Sequence, residues 1–233
     1  MLWQFFMYGP IEWILWGVAL IIALAAQAGV SSAYKKYSRV PASRGMTGAD
    51  VARRMVQGIG VDVVLHNGGK LSDHFNPKTN TIGLSPEVYN GTNVAAIGIA
   101  AHEAGHALQY DQGYAPIKLR NGILPLAQFG SMAAIPIIIL GLWFGIDWGM
   151  PWIIDVGIFL FMGVLAFQLI TLPVEFNASS RAMAAMEHNI YLTPEESVGA
   201  KKVLRAAAMT YVAAVAASAL QLLRLILIAN RRR

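Results

Sequence analysis

The chain reads as an α-helical membrane protein with about four transmembrane segments and a small α+β domain, and three observations carry that reading. Its 233 residues are 56% hydrophobic and only 13% charged, against about 25% charged in an ordinary soluble domain. Four stretches reach the roughly 20 apolar residues that a bilayer core requires. Two polar regions between them hold most of the ionisable side chains. This composition excludes a disordered tail, a disulfide-stapled secreted module and an ordinary cytosolic enzyme. With no cysteine in the chain, thiol catalysis and any cysteine-ligated zinc or iron–sulfur site are excluded too.

The first apolar stretch, Trp13–Val30, has no ionised group and one strongly polar residue, Gln27. No basic segment precedes it, whereas Lys35, Lys36, Arg39 and Arg44 follow. Residues 1–30 therefore read as a retained anchor with its N-terminus outside, not as a cleaved signal peptide. Leu124–Gly145 contains Pro125 and Pro136, which a helix bundle tolerates. Trp152–Thr171, running on to Pro173, carries Asp155 near its start, and together these two stretches form a membrane hairpin over 124–173. The last stretch, Ala206–Leu223 within 206–233, is rich in small side chains that suit close helix packing.

Lysine and arginine orient the segments. Ten of them, from Lys35 to Arg205, flank one side, and only Arg231–Arg233 lie on the other. The excess places 31–123 and 174–205 in the cytoplasm. The terminal arginines run against that count if the last segment spans, so a tilted or interfacial course stays open for it. The net charge of +5 and pI near 9.6 are thereby assigned to topology and anionic lipid headgroups, with the bilayer as partner and no nucleic acid.

Residues 31–123 carry the signals of a folded domain. Thr47 is placed to cap a helix over Ala49–Gln57. Val61–His66 is β-branched and ends at Asn67-Gly68-Gly69, a turn signal. Leu71–Phe75 and Thr81–Leu84 flank Asn76-Pro77-Lys78-Thr79-Asn80, which reads as a hairpin loop. Ser85 followed by Pro86 predicts a short helix with Ser85 as its cap. Thr92 is then placed to cap a longer helix running to about Tyr110.

That longer helix holds the chemistry: Ala101-His102-Glu103-Ala104-Gly105-His106-Ala107. Histidines at i and i+4 share one helix face, so both imidazoles reach one zinc ion. Glu103 projects beside them, where it can hold the attacking water and take its proton. With 5 histidines and 7 glutamates in the chain, chance produces an H-E-x-x-H motif in about 0.3% of such sequences. These three are also the only ionisable residues of Val94–Leu108, where burying them without metal or mutual pairing is costly. Gly105 keeps the helix slim between the two ligands, where another element must pack.

Zinc takes a third protein ligand and leaves one position open. His66, His74, His188 and the carboxylates are the candidates. Glu175, at the cytoplasmic end of the third membrane segment, falls on the same membrane face as the histidine helix. Ser179, one turn later, can hydrogen-bond a ligand imidazole. The competing choice is Asp155, which would make this a site-2-type intramembrane zinc protease. It stands twenty residues from Glu175, about 30 Å along a helix, so one ion cannot use either interchangeably. A non-catalytic zinc-binding membrane scaffold is the non-enzyme alternative, and the intact Glu103 argues against it. His74 is a candidate for contacting substrate or an oxyanion. Arg205 and Arg224 suit membrane-flank anchoring better than that role.

Asp73-His74-Phe75-Asn76-Pro77, Leu84-Ser85-Pro86-Glu87-Val88-Tyr89-Asn90-Gly91, the His102–His106 run, Glu175-Phe176-Asn177-Ala178-Ser179 and Leu204–Val212 together resemble the YugP-type family of membrane-bound neutral zinc metallopeptidases. The resemblance covers nearly the whole chain. A more distant similarity links it to the HtpX-like membrane metalloproteases, which also separate the histidine helix from the glutamate helix by a membrane hairpin. In those enzymes an aspartate follows the ligand glutamate by four residues; here Ser179 takes its place. The resemblance implies a gluzincin-like fold, Zn²⁺ as cofactor, a polypeptide substrate and a cytoplasmic membrane of the bacterial kind. Under that reading Glu103 is the catalytic base, His102, His106 and Glu175 are the ligands, and the Thr81–Leu84 strand is available to pair with an extended substrate.

Overall fold

The computed structural model describes residues 9–69, 72–145, 149–189 and 191–232. Its elements are α1 (Pro10–Tyr37), α2 (Gly48–Met55), β1 (Asp62–Leu65), β2 (His74–Asn76), β3 (Thr81–Leu84), α3 (Pro86–Tyr89), α4 (Val94–Asp111), α5 (Ala115–Leu140) continued by a π-helical turn (Gly141–Gly145), α6 (Trp152–His188) and α7 (Pro194–Arg232). Four of them, α1, α5 with its π turn, α6 and α7, are long and apolar enough to cross a membrane. The chain forms two units. One comprises Met1–Ala26, Leu119–Leu172 and Thr210–Arg233, and the other Gln27–Lys118 and Pro173–Met209.

The first unit turns apolar side chains outward: Met132 is 78% exposed, Phe159 71% and Ile21 67%. Such a surface calls for lipid, where helices satisfy their own backbone hydrogen bonds. Inside it, α5 and α6 pack as an antiparallel hairpin at small residues. A Cβ on Gly130 would lie 2.8 Å from the Leu160 carbonyl oxygen, and one on Gly157 3.0 Å from that of Ala134, so the two backbones touch. Ile138 of α5, Ile154 of α6, and Leu225 and Ala229 of α7 form a shared core cluster. At the same end, the Arg231 guanidinium lies 3.1 Å from the carboxylate of buried Glu12. Farther in, Gln221 and Ser218 of α7 line a small cavity with Phe161 of α6 and Trp16 of α1. α7 thus runs alongside α1 and α6 through the unit, rather than lying across it.

The second unit contains the sheet, ordered β1-β3-β2. β1 pairs parallel with β3, matching Asp62 to Thr81, and β2 pairs antiparallel with it, matching His74 to Gly83. The predicted hairpin is therefore present over β2 and β3, although Leu71, its expected first residue, lies outside the described residues. One expectation changes. Thr81–Leu84 is the central strand, with both edges taken by β1 and β2, so it cannot accept a substrate strand. The period-2 pattern shows where a strand is but not its neighbours, and the parallel β1 pairing was invisible in it.

Thr47 caps α2 as expected, in a reciprocal capping box with Asp50. Two other caps differ. Ser85 makes no side-chain cap bond to α3. Its hydroxyl donates instead to the Asp73 carboxylate at 3.0 Å, and its backbone N–H donates there at 2.7 Å. The Asp73 and Ser85 motifs thereby clamp the strand entry to the short helix. The longer helix is capped by Asn93 rather than Thr92, through Asn93 Oδ1 accepting from the Ala96 N–H at 2.9 Å. Thr92 instead supplies a carbonyl to the Ala42 N–H.

α4 is buried on nearly every side. Ala100, Ala104 and Ala107 face Ile82, Leu84 and Val88, while Val94, Ile97 and Ala101 face Ala182, Met186, Ala200 and Leu204. Its small side chains let these layers come close. α6 does not end at Pro173 but continues through it to His188, so Glu175 sits well inside a helix rather than in a first turn.

Candidate metal centre

The site grows from the contact between α4 and the Pro173–Met209 part of the second unit. At Gly105 the two backbones nearly meet: a Cβ there would lie 2.6 Å from the Ala178 carbonyl oxygen. The residues on either side of Gly105 in the motif then face α6 across that contact. His102 Nε2 lies 3.3 Å from Glu175 Oε2, and His106 Nε2 lies 3.6 Å from the same oxygen. The two imidazoles meet edge to face, their planes crossing at 81° with centroids 4.7 Å apart.

Among the described residues, His102, His106 and Glu175 are the one group of three whose donor atoms lie within 4.8 Å of one another and could hold a metal ion. The spacing suits zinc. Bonds of about 2.0–2.2 Å in a tetrahedral site set donor atoms roughly 3.3–3.6 Å apart, as both nitrogen–oxygen separations are. The surroundings suit a cation as well. Glu175 is 2% exposed, and a buried carboxylate requires positive charge nearby. For His106, burial pushes the pKa down, but the Glu175 hydrogen bond and the charges of Glu103 and Glu175 outweigh it and hold the imidazole above its ordinary value.

Both imidazoles are held from behind. Ser179 Oγ lies 3.1 Å from His102 Nδ1, the contact expected from its position one turn after Glu175. His106 Nδ1 lies 3.0 Å from Gln109 Oε1. Gln109 is fully buried, and its amide N–H groups donate to the Val174 carbonyl at 2.8 Å and to Asn177 Oδ1 at 2.9 Å. The sequence reading assigned Gln109 and Asn177 no role. The available signal was spacing, because Gln109 follows His106 by three residues on an otherwise apolar helix.

Glu103 is half-buried on α4, near enough to raise the His106 pKa by its charge. His74 stands outside the three-residue group. Its Nδ1 lies 2.8 Å from the Ser72 carbonyl oxygen, its ring meets His66 edge-on at 4.8 Å, and it covers Gly83. His188 is exposed at the end of α6, and Asp155 is exposed near its start. Neither joins the cluster.

Four helices able to cross a membrane and a His/His/Glu cluster suited to a metal define a membrane protein with a candidate metal centre. The family model described as "Putative neutral zinc metallopeptidase" matches residues 12–230, and the chain belongs to that family. It is 44% identical over 212 residues to the "Putative membrane protease YugP" of Bacillus subtilis (strain 168), an alignment covering 90% of this chain and 92% of that protein. No solved structure matches.

Proposed function

We propose that this protein is an integral-membrane zinc endopeptidase, gluzincin-like in its second unit, whose site opens to the cytoplasmic side of the membrane. The observation that carries the proposal is the convergence of His102, His106 and Glu175 beside the half-buried Glu103 of the same helix. His102, His106 and Glu175 would hold Zn²⁺. When bound, zinc polarises a carbonyl and acidifies water toward neutral pH. Glu103 holds the attacking water, takes its proton and returns it to the departing amide nitrogen. Buried Glu175 balances part of the ion's charge. Ser179 and Gln109 hold the ligand rings in orientation.

An extended polypeptide would bind by strand addition, giving sequence-tolerant affinity through main-chain hydrogen bonds. With β3 enclosed, the open edge of β2 is the better suited one, because β2 lies against α4 through Phe75 and Tyr110, whose rings are 5.9 Å apart. The deciding experiment is cleavage of an unfolded protein by the purified full-length chain in detergent. Zinc-dependent cutting that Glu103→Gln abolishes supports the proposal. A zinc-loaded wild type that cuts no unfolded substrate overturns it.

A further inference from the structure

The two ligand histidines are held by chemically different partners, and the difference has a direction. Ser179 offers His102 a hydroxyl, which donates or accepts by rotating. Gln109 offers His106 an amide whose two ends are not interchangeable. Its Nε2 faces the Val174 carbonyl, which can only accept, and the Asn177 side-chain oxygen. That oxygen is itself set by Arg181, which can only donate and does so from Nε at 2.7 Å. Arg181 is anchored in turn. Its Nη1 donates to Gln112 Oε1 at 2.6 Å, and its guanidinium lies over the Tyr114 ring.

Turning the Asn177 amide over would set N–H against N–H at Arg181, and turning the Gln109 amide over would set its oxygen against two oxygens. The polarity therefore runs one way, from Arg181 through Asn177 to Gln109, and leaves Gln109 Oε1 facing His106 Nδ1. An acceptor there requires the proton on Nδ1. With Nδ1 protonated, Nε2, the atom turned toward Glu175, is the nitrogen left to give up its proton and bind a metal.

We infer that Gln109 is a positioning residue that locks His106 in the metal-binding tautomer, with Arg181 and Asn177 setting the direction of the lock. Through the Val174 carbonyl the same amide ties His106 to the backbone immediately before Glu175, so two ligands on different helices share one anchor. His102, backed by a hydroxyl rotor, has no such enforcement from Ser179. The inference rests on the zinc reading above, and its test separates the two.

Zinc affinity is measured on the full-length protein in detergent by competition with a chromophoric chelator, and the His106 tautomer by ¹⁵N-histidine NMR of the metal-free protein at a pH where the imidazole is neutral. Gln109→Met, which keeps the volume and removes the amide, should weaken zinc binding about 10–100-fold, the usual cost of losing such a partner, and should mix the tautomers. Arg181→Met should shift both readouts the same way while touching neither histidine, and it remains informative should Gln109→Met fail to fold. Asn177→Asp keeps the acceptor and should bind zinc like wild type, whereas Asn177→Leu should not. Equal losses in Asn177→Asp and Asn177→Leu, or a single Nδ1–H tautomer persisting in Gln109→Met and Arg181→Met, would overturn the inference. A wild type that binds no zinc would overturn the zinc reading instead.

Discussion

Gly105 and Ala178 are in backbone contact: a Cβ on Gly105 would come within 2.6 Å of the Ala178 carbonyl oxygen. This contact sets the separation of α4 and α6, and with it the distance from the two imidazoles to Glu175. Gly105→Ala should therefore push the helices apart, lower stability by about 1–3 kcal/mol as overpacking does, and weaken zinc binding. Gly98→Ala is the control on the same helix, because its Cβ would meet Ala200 at an ordinary 3.5 Å. Thermal unfolding and zinc titration of both variants check this, and equal behaviour of the two would remove the close-contact explanation.

The Gly105 contact also shows what was legible in the sequence. H-E-x-x-H spacing on one helix announces two candidate ligands, and a glycine between them announces a close neighbour, because both are local properties of a 3.6-residue period. The partner helix was legible only through membrane topology, which returns residue 175 to the histidine side. Its continuation through Pro173 was not, because proline reads as a boundary although packing can hold a helix across it. Likewise β1, β2 and β3 could be located from pattern and turn residues, but the β1-β3-β2 order depends on long-range pairing that no local pattern encodes. The Asp73–Ser85 and Gln109–Asn177 bonds were hidden for the same reason, since each joins residues that only the fold brings together.

Glu103→Gln should leave zinc bound and remove hydrolysis, because the amide keeps the size of the side chain but cannot take a proton. General-base losses run about 10²–10⁴-fold. Metal analysis alongside a cleavage assay checks both halves. Loss of zinc from Glu103→Gln would mean that Glu103 supports the metal rather than the proton transfer.

Glu175→Ala, His102→Ala and His106→Ala should each lower zinc occupancy and abolish cleavage, since two remaining donors hold the ion poorly. Asp155→Asn should leave zinc in place, because Asp155 lies twenty residues earlier on α6 and outside the three-donor group. Metal content of the purified variants decides it. An empty site in Asp155→Asn together with a full one in Glu175→Ala would transfer the centre to the intramembrane reading.

The last prediction concerns topology, and it starts from Glu12 and Arg231. Their ion pair at 3.1 Å brings the start of α1 and the end of α7 together. The cluster of Ile138, Ile154, Leu225 and Ala229 brings the end of α5 and the start of α6 to the same end of the first unit. Residues 10, 150 and 231 should therefore lie on one side of the membrane. Arg231 also faces a buried carboxylate, which offsets one of the three arginines that run against the charge count. Because the chain has no cysteine, single cysteines report cleanly. Labels at Pro10, Met150 and Asn230 should react with an impermeant thiol reagent in intact cells. Labels at Asp62 and Lys78, in the lysine- and arginine-flanked region, should react only after lysis. Protection at Asn230 with reaction at Met150 would show that α7 does not span, and protection of all three with reaction at Asp62 and Lys78 would reverse the orientation.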